Sequence, residues 1–217
     1  MPSSAARTSA APEYFLPPFV MTDTFLTPRL LEAVGVAYRA HATMVRKGDG
    51  QPYIVHPIAV FGLLAHWGAD EDTCIAGLLH DVLEDVPENE KGKYRIKIEQ
   101  KFGPKVLEIV EGVTEQDKSL PWKERKKLYL EHLRVSSHSS LLVSCADQTH
   151  NARSLLLALE QDGECVWLRF NASEEDKKQQ LALMLTVLQD HLDPRYTQEL
   201  ADNLKGGTDE KHPMIPR

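Results

Sequence analysis

The chain has 217 residues, a formal charge of −7, 7% aromatic residues and three cysteines, Cys74, Cys145 and Cys165. That length allows one sizeable core, with a single domain as the expectation. The acidic balance argues against a surface that wraps nucleic acid. It leaves room for a small basic pocket that takes a phosphorylated ligand. The odd cysteine count, with no C-x-x-C pair, argues against a disulfide framework and fits a reducing cytoplasm.

Residues 1–26 are rich in Ser, Ala and Pro and read as an N-terminal arm, with no continuous apolar segment of a secretory signal. No run approaches the roughly 18 apolar residues of a membrane span, so no membrane partner is expected. Thr27 can cap a helix whose first turn carries Pro28. Leu30, Val34, Ala37, His41 and Val45 fall on one face of it, and "GDGQP" ends it with turn chemistry. A second helix is predicted over 57–67, closed by Gly68. A third is predicted over 71–86, behind the cap Asp70. "PENEKGKY" reads as a charged loop, followed by short helices over 95–102 and 104–113 on either side of "FGP".

A charged helix is predicted over 121–134. A long one over 139–160 follows, with Gly163 beyond its end. In "NASEED", Asn171 and Glu174 offer a capping box. Leu181, Met184, Leu185, Leu188 and Leu192 then make a helical stripe, and a last short helix follows Pro194. No strand alternation is evident, so the expectation is an all-α domain over 27–205, with a polar tail, 206–217, that frays.

Chemistry concentrates in "GLLHDVLED", residues 77–85. His80 and Asp81 are followed one turn later by Glu84 and Asp85, each pair stacked on a shared side of an apolar helix. Buried carboxylates are costly and repel one another. Either they line a solvated edge, or a divalent cation compensates for them, and imidazole with carboxylate suits a transition metal. His56, in "GQPYIVHPIAV", stands at a helix start, where a lone histidine more often caps or packs than ligates. In "SCADQTHNARSLLLAL", Asp147, Asn151 and Ser154 draw a polar stripe along an otherwise apolar helix.

Taken together, "HPIAV", "AGLLHDVLED", "FGPKVLEIVEGVT" and "ADQTHNARSL" resemble the hydrolase domain of the Rel/SpoT alarmone family, within the HD phosphohydrolase superfamily. The short length and "LPWKERKKLYL" are most similar to its small alarmone hydrolases. The resemblance implies a helical HD-type bundle and a metal, usually Mn²⁺, held by His56, His80, Asp81 and Asp147. It implies that Glu84 and Asp85 are the catalytic acids that order and deprotonate the attacking water. Arg46, Lys47, Asn151 and Ser154 match nucleotide-binding positions, and Tyr53 belongs to the motif without an assigned role.

Two positions depart from the family pattern: Ser144 and Gln148 stand where cations are usual, so two positive charges are missing beside the site. The implied substrate is a nucleotide with a 3′-pyrophosphate, (p)ppGpp, cleaved to GDP or GTP and pyrophosphate. The alternatives are (p)ppApp hydrolysis, removal of the 2′-phosphate of NADPH, or a nucleotide-binding regulator without catalysis. The basic run 123–127 reads as a solvated helix face with i,i+4 pairing rather than a nucleic-acid patch. No synthetase domain fits after residue 195, so the expectation is a protein that degrades its substrate without making it. Whether it forms a homodimer is not legible.

Overall fold

The first helix, α1 (Pro28–Ala40), starts where Thr27 turns its side chain back to accept from the Leu30 N–H. Pro28 occupies the first turn, where its missing N–H costs nothing. The structure, a computed structural model, describes residues 26–47, 50–115 and 118–206; the N-terminal arm up to 25 and the tail from 207 lie outside them. Leu30, Ala33, Val36 and Ala37 turn α1 toward the core. The expected apolar face stops early. His41 caps the helix, and Val45 is exposed, where it forms an isolated bridge with Pro52.

Helix α2 (Val55–His66) buries His56, Pro57, Val60 and Leu64. Helix α3 (Glu71–Leu79) is buried at every position from Thr73 to Leu79 and forms the centre of the molecule. A Cβ built on Gly77 would lie 2.3 Å from Leu64 Cδ1, so α2 and α3 reach their close approach because residue 77 has no side chain. Asp70 caps α3 by accepting from the Thr73 N–H at 2.8 Å, and Lys105 Nζ donates to its other oxygen at 2.7 Å. Replacing an N-cap carboxylate by Ala removes the partner of an orphan N–H. Asp70→Ala should therefore cost about 1 kcal/mol in urea denaturation, with Asp70→Asn recovering most of it.

The predicted helix over 71–86 is broken. Asp81 sits at φ −88°, ψ −8°, and its carbonyl accepts from both Glu84 and Asp85. A separate turn, α4 (Val82–Asp85), starts from it. Bridge-region torsion at Asp81 interrupts the helical ladder, so Glu84 does not follow His80 along one straight helix. The charged loop is also corrected, because α5 runs over Glu88–Phe102. Pro87 presets the entry, and Glu88 and Glu90 favour the positive end of the helix dipole. Its buried contacts, Ile98 and Phe102, come only at the far end.

Helices α6 (Pro104–Gly112) and α7 (Trp122–Leu133) lead to the long α8 (His138–Asp162), which Gly163 terminates at φ 62°. An unanticipated 3₁₀ turn, Gly163–Arg169, separates α8 from α9 (Glu174–His191). The cap of α9 is Ser173, whose Oγ accepts from the Asp176 N–H at 3.2 Å, rather than Asn171. Helix α10 (Pro194–Leu204) packs on α8 and α9. Around α3 are α1, α2, α6 and α8. Among the described residues there is no strand, as expected for an all-α chain, and no helix long and apolar enough to cross a membrane.

Candidate active site

Three segments meet at one point: the first turn of α2, the break between α3 and α4, and the middle of α8. The α3–α4 break projects His80 and Asp81 toward His56 and Asp147. His56 Nε2 lies 3.2 Å from His80 Nε2 and 3.0 Å from Asp147 Oδ1. His80 Nε2 lies 3.1 Å from Asp81 Oδ2 and 3.7 Å from Asp147 Oδ1, and His56 Nε2 is 3.5 Å from Asp81 Oδ2. Ligands about 2.1 Å from one ion, at tetrahedral or octahedral angles, sit roughly 3.0–3.4 Å apart. Three of the five separations fall in that span, and the other two, 3.5 and 3.7 Å, lie just beyond it.

His80 Nδ1 faces the Gly77 carbonyl at 2.8 Å. It donates there, so Nε2, facing His56 and the two carboxylates, is the atom that holds the second proton or would turn to a metal. Two imidazole nitrogens and two carboxylates converging in a buried site call for positive charge. The ionisation behaviour shows the same demand. Burial works against charge on His80, Asp81 and Asp147. It is outweighed, so His80 is held well above the usual histidine range by Asp81 and Asp147, and both carboxylates are held low by the histidines. His56, His80 and Asp147 bring ligand atoms within 4.8 Å of one another, a set able to hold a metal ion. Asp81 stands beside them, its Oδ2 also accepting the Tyr53 hydroxyl at 2.8 Å.

A cavity of about 170 Å³ opens over this cluster, lined among others by Tyr53, Glu84, Glu115, Lys126, Gln148 and Asn151. At roughly 30 Å³ per water, it takes a phosphoryl group with a few waters, and a larger ligand would extend beyond it. Glu84 lines the cavity, and burial, with Asp81 and Glu115, pushes its carboxyl up to about 7. Lys118 lies 3.5 Å from it. Asp85 is set one step back, outside the cavity lining, 3.6 Å from Lys118 and 4.0 Å from buried His41. Burial and Asp81 raise Asp85 as well.

Asn151 joins the histidine–aspartate cluster to Arg46. Its Nδ2 donates to Asp147 Oδ1 at 2.6 Å, and its Oδ1 accepts from Arg46 at 2.7 Å. Lys47 is exposed, and Ser154 lies a turn further along α8; neither lines the cavity. The two departures are both accommodated. Ser144 is fully buried and shares a hydrogen bond with the Tyr129 hydroxyl at 3.2 Å. Gln148 donates to Asp147 Oδ2 at 2.8 Å, so an amide braces the carboxylate where a cation would compete for it.

The basic run divides. Lys127 pairs with Glu131 at 3.9 Å, as an exposed i,i+4 pair, and Lys123 reaches Asp176 at 2.8 Å. Lys126, however, turns into the cavity and donates to Glu115. Sequence reasoning missed this residue, together with His150, whose Nδ1 lies 2.8 Å from His56 Nδ1. The i+3 spacing from Asp147 is the signal that places His150 on the same side of α8. Burial, with His56 and Arg46 nearby, pushes His150 down to about 4.

Comparison with known proteins agrees with this geometry. A family model described as HD domain matches residues 33–185. The bifunctional (p)ppGpp synthase/hydrolase SpoT of Escherichia coli K12 is 41% identical over 133 residues, which are 58% of this chain and 18% of SpoT. The chain thus spans less than a fifth of that relative. The guanosine-3′,5′-bis(diphosphate) 3′-pyrophosphohydrolase MESH1 of Danio rerio is 41% identical over 132 residues, covering 59% of this chain and 70% of MESH1. A solved metazoan orthologue of SpoT, described as hydrolysing ppGpp, superposes with a TM-score of 0.67 and 27% identity, over 84% of this chain and 97% of that one. A crystal structure of lmo0812 from Listeria monocytogenes EGD-e gives 0.60 and 29%, over 72% and 95%. With its all-helical architecture and its histidine–aspartate cluster at the α3–α4 break, the chain belongs to the HD domain family and is related to SpoT and MESH1.

Proposed function

We propose that the chain is a divalent-metal-dependent hydrolase that removes the 3′-pyrophosphate from (p)ppGpp, releasing GDP or GTP and pyrophosphate. The observation that carries this reading is the convergence of His56, His80 and Asp147 under a cavity whose wall holds Glu84. The substrate follows the named activity of SpoT and MESH1. His56, His80, Asp81 and Asp147 would hold the ion, with Mn²⁺ the favoured metal. When bound, such an ion acidifies water and polarises a phosphoryl oxygen.

Glu84 would take a proton from the attacking water, a role supported by its position in the cavity lining and by a carboxyl that burial pushes up to about 7. Asp85 supports it from one step behind. Water adds to the phosphorus, the P–O3′ bond breaks, and the 3′ oxygen leaves with a proton. Arg46 is fixed by Asn151, with its guanidinium carbon 5.8 Å from the Tyr53 ring centroid. It can stack on the base, and the exposed Lys47, next in sequence, would meet phosphate charge. Ser154 keeps a hydroxyl beyond Asn151. A regulator without catalysis would have no use for both a ligand set and the adjacent acids. The free cysteines suit a reducing, cytoplasmic setting.

The test is to incubate purified protein with Mn²⁺ and, separately, ppGpp, pppGpp, ppApp, pppApp and NADPH, with products resolved by ion exchange. Pyrophosphate and GDP from ppGpp are expected, lost on chelation and restored by Mn²⁺. Turnover of only the adenine alarmones, or phosphate released only from NADPH, would reassign the substrate.

A further inference from the structure

The two histidines of the cluster are backed differently. His80 has the Gly77 carbonyl behind its Nδ1, an acceptor that can only accept. His56 has another imidazole, His150, with Nδ1 facing Nδ1 at 2.8 Å. Two nitrogens at that distance must share one proton. If His150 carries it, His56 must hold its own proton on Nε2, the atom 3.0 Å from Asp147 and 3.2 Å from His80, and cannot ligate. If His56 carries it, Nε2 presents a lone pair to the cluster.

We propose that His150 is the positioning residue for His56: its bare Nδ1 accepts the His56 Nδ1–H and so fixes the ligating tautomer and ring orientation. This rests on the reading of His56 as a ligand. His56 is only 1% exposed, so bulk water is not available to replace the acceptor. The rings lie 4.9 Å apart between centroids and are tilted by 40°, an in-plane approach rather than a stack. α8 thus supplies one ligand, Asp147, and one turn later the brace for a second. Outer partners of metal-bound histidines commonly govern affinity in this way.

Calorimetric Mn²⁺ titration of wild type, His150→Leu and His150→Asn tests it. Leu keeps bulk without an acceptor, whereas the Asn Oδ1 falls near the place of the imidazole Nδ1. Affinity about 10–100-fold weaker is expected for His150→Leu, with His150→Asn close to wild type. In the Zn²⁺-loaded protein, nitrogen-edited NMR should show a slowly exchanging His56 Nδ1 proton in wild type and His150→Asn, lost in His150→Leu. Equal affinity in wild type and His150→Leu would overturn the role of His150 alone. A wild-type protein that binds neither ion would overturn the metal reading beneath it.

Discussion

Asp147→Ala is expected to fold, to bind Mn²⁺ at least about 100-fold more weakly and to lose all but about a thousandth of the hydrolase activity. Asp147 is the carboxylate nearest His56 Nε2, at 3.0 Å, and it is held by two donors, Asn151 on Oδ1 and Gln148 on Oδ2. Removing it leaves two imidazoles with only Asp81 to neutralise a divalent ion. It also frees Asn151, which holds Arg46, so the proposed contact of Arg46 with the nucleotide should loosen too. The fold should survive because Asp147 lines the cavity, with the buried Cys145 and Ala146 left intact. Burial opposes its charge, but His56 and His80 outweigh that and hold Asp147 low, so truncation removes a favourable pairing and the metal-free protein should melt at a lower temperature. The measurement is calorimetry with Mn²⁺, beside melts with and without the ion. Undiminished turnover in metal-depleted and reloaded Asp147→Ala would remove Asp147 from the site.

Proton competition gives this result a pH signature. In the metal-free protein the cluster satisfies its need for positive charge by keeping His80 protonated above the usual histidine range. An entering cation must displace that proton, so wild-type Mn²⁺ affinity should rise with pH and fall as the solution is acidified. Without the Asp147 carboxylate His80 is less basic, and the pH dependence of binding should flatten.

The parts legible in the sequence were those set by local chemistry. Thr27 and Pro28 mark the start of α1, and Gly163 marks the end of α8 because few residues tolerate its positive φ. "HDVLED" was informative because acids in an apolar segment need compensation. Helix α5 was hidden because its first turns carry no buried residue, and its amphipathic signal comes only from Ile98 and Phe102. The break at Asp81 was hidden for a tertiary reason: its side chain accepts from Tyr53, 28 positions away, a partner that no window around 81 contains. Lys126 belongs to a run that reads as solvated, although α7 turns it to the cavity, where it meets Glu115. His150 shares its hydrogen bond with a residue 94 positions away, so spacing could give its direction but not its partner.

Glu84→Gln should separate metal binding from chemistry. The substitution keeps size and hydrogen-bonding capacity but removes the ability to take a proton. Because Glu84 lies on the cavity wall and outside the His56–His80–Asp147 group, Mn²⁺ affinity should stay within a few-fold of wild type. kcat should fall about 10²–10⁴-fold, the usual contribution of a general base. The sign of the pH dependence follows from the same role. A base acts when deprotonated, so wild-type kcat/KM should rise with pH and level off above the pKa of Glu84. Burial places that pKa near 7 in the metal-free protein, and a nearby divalent cation lowers it, moving the acidic limb below neutrality. Glu84→Gln should lack that limb. If instead it lost Mn²⁺ in proportion to its activity, Glu84 would be a ligand, and Asp85, braced by Lys118 at 3.6 Å, would become the base to test.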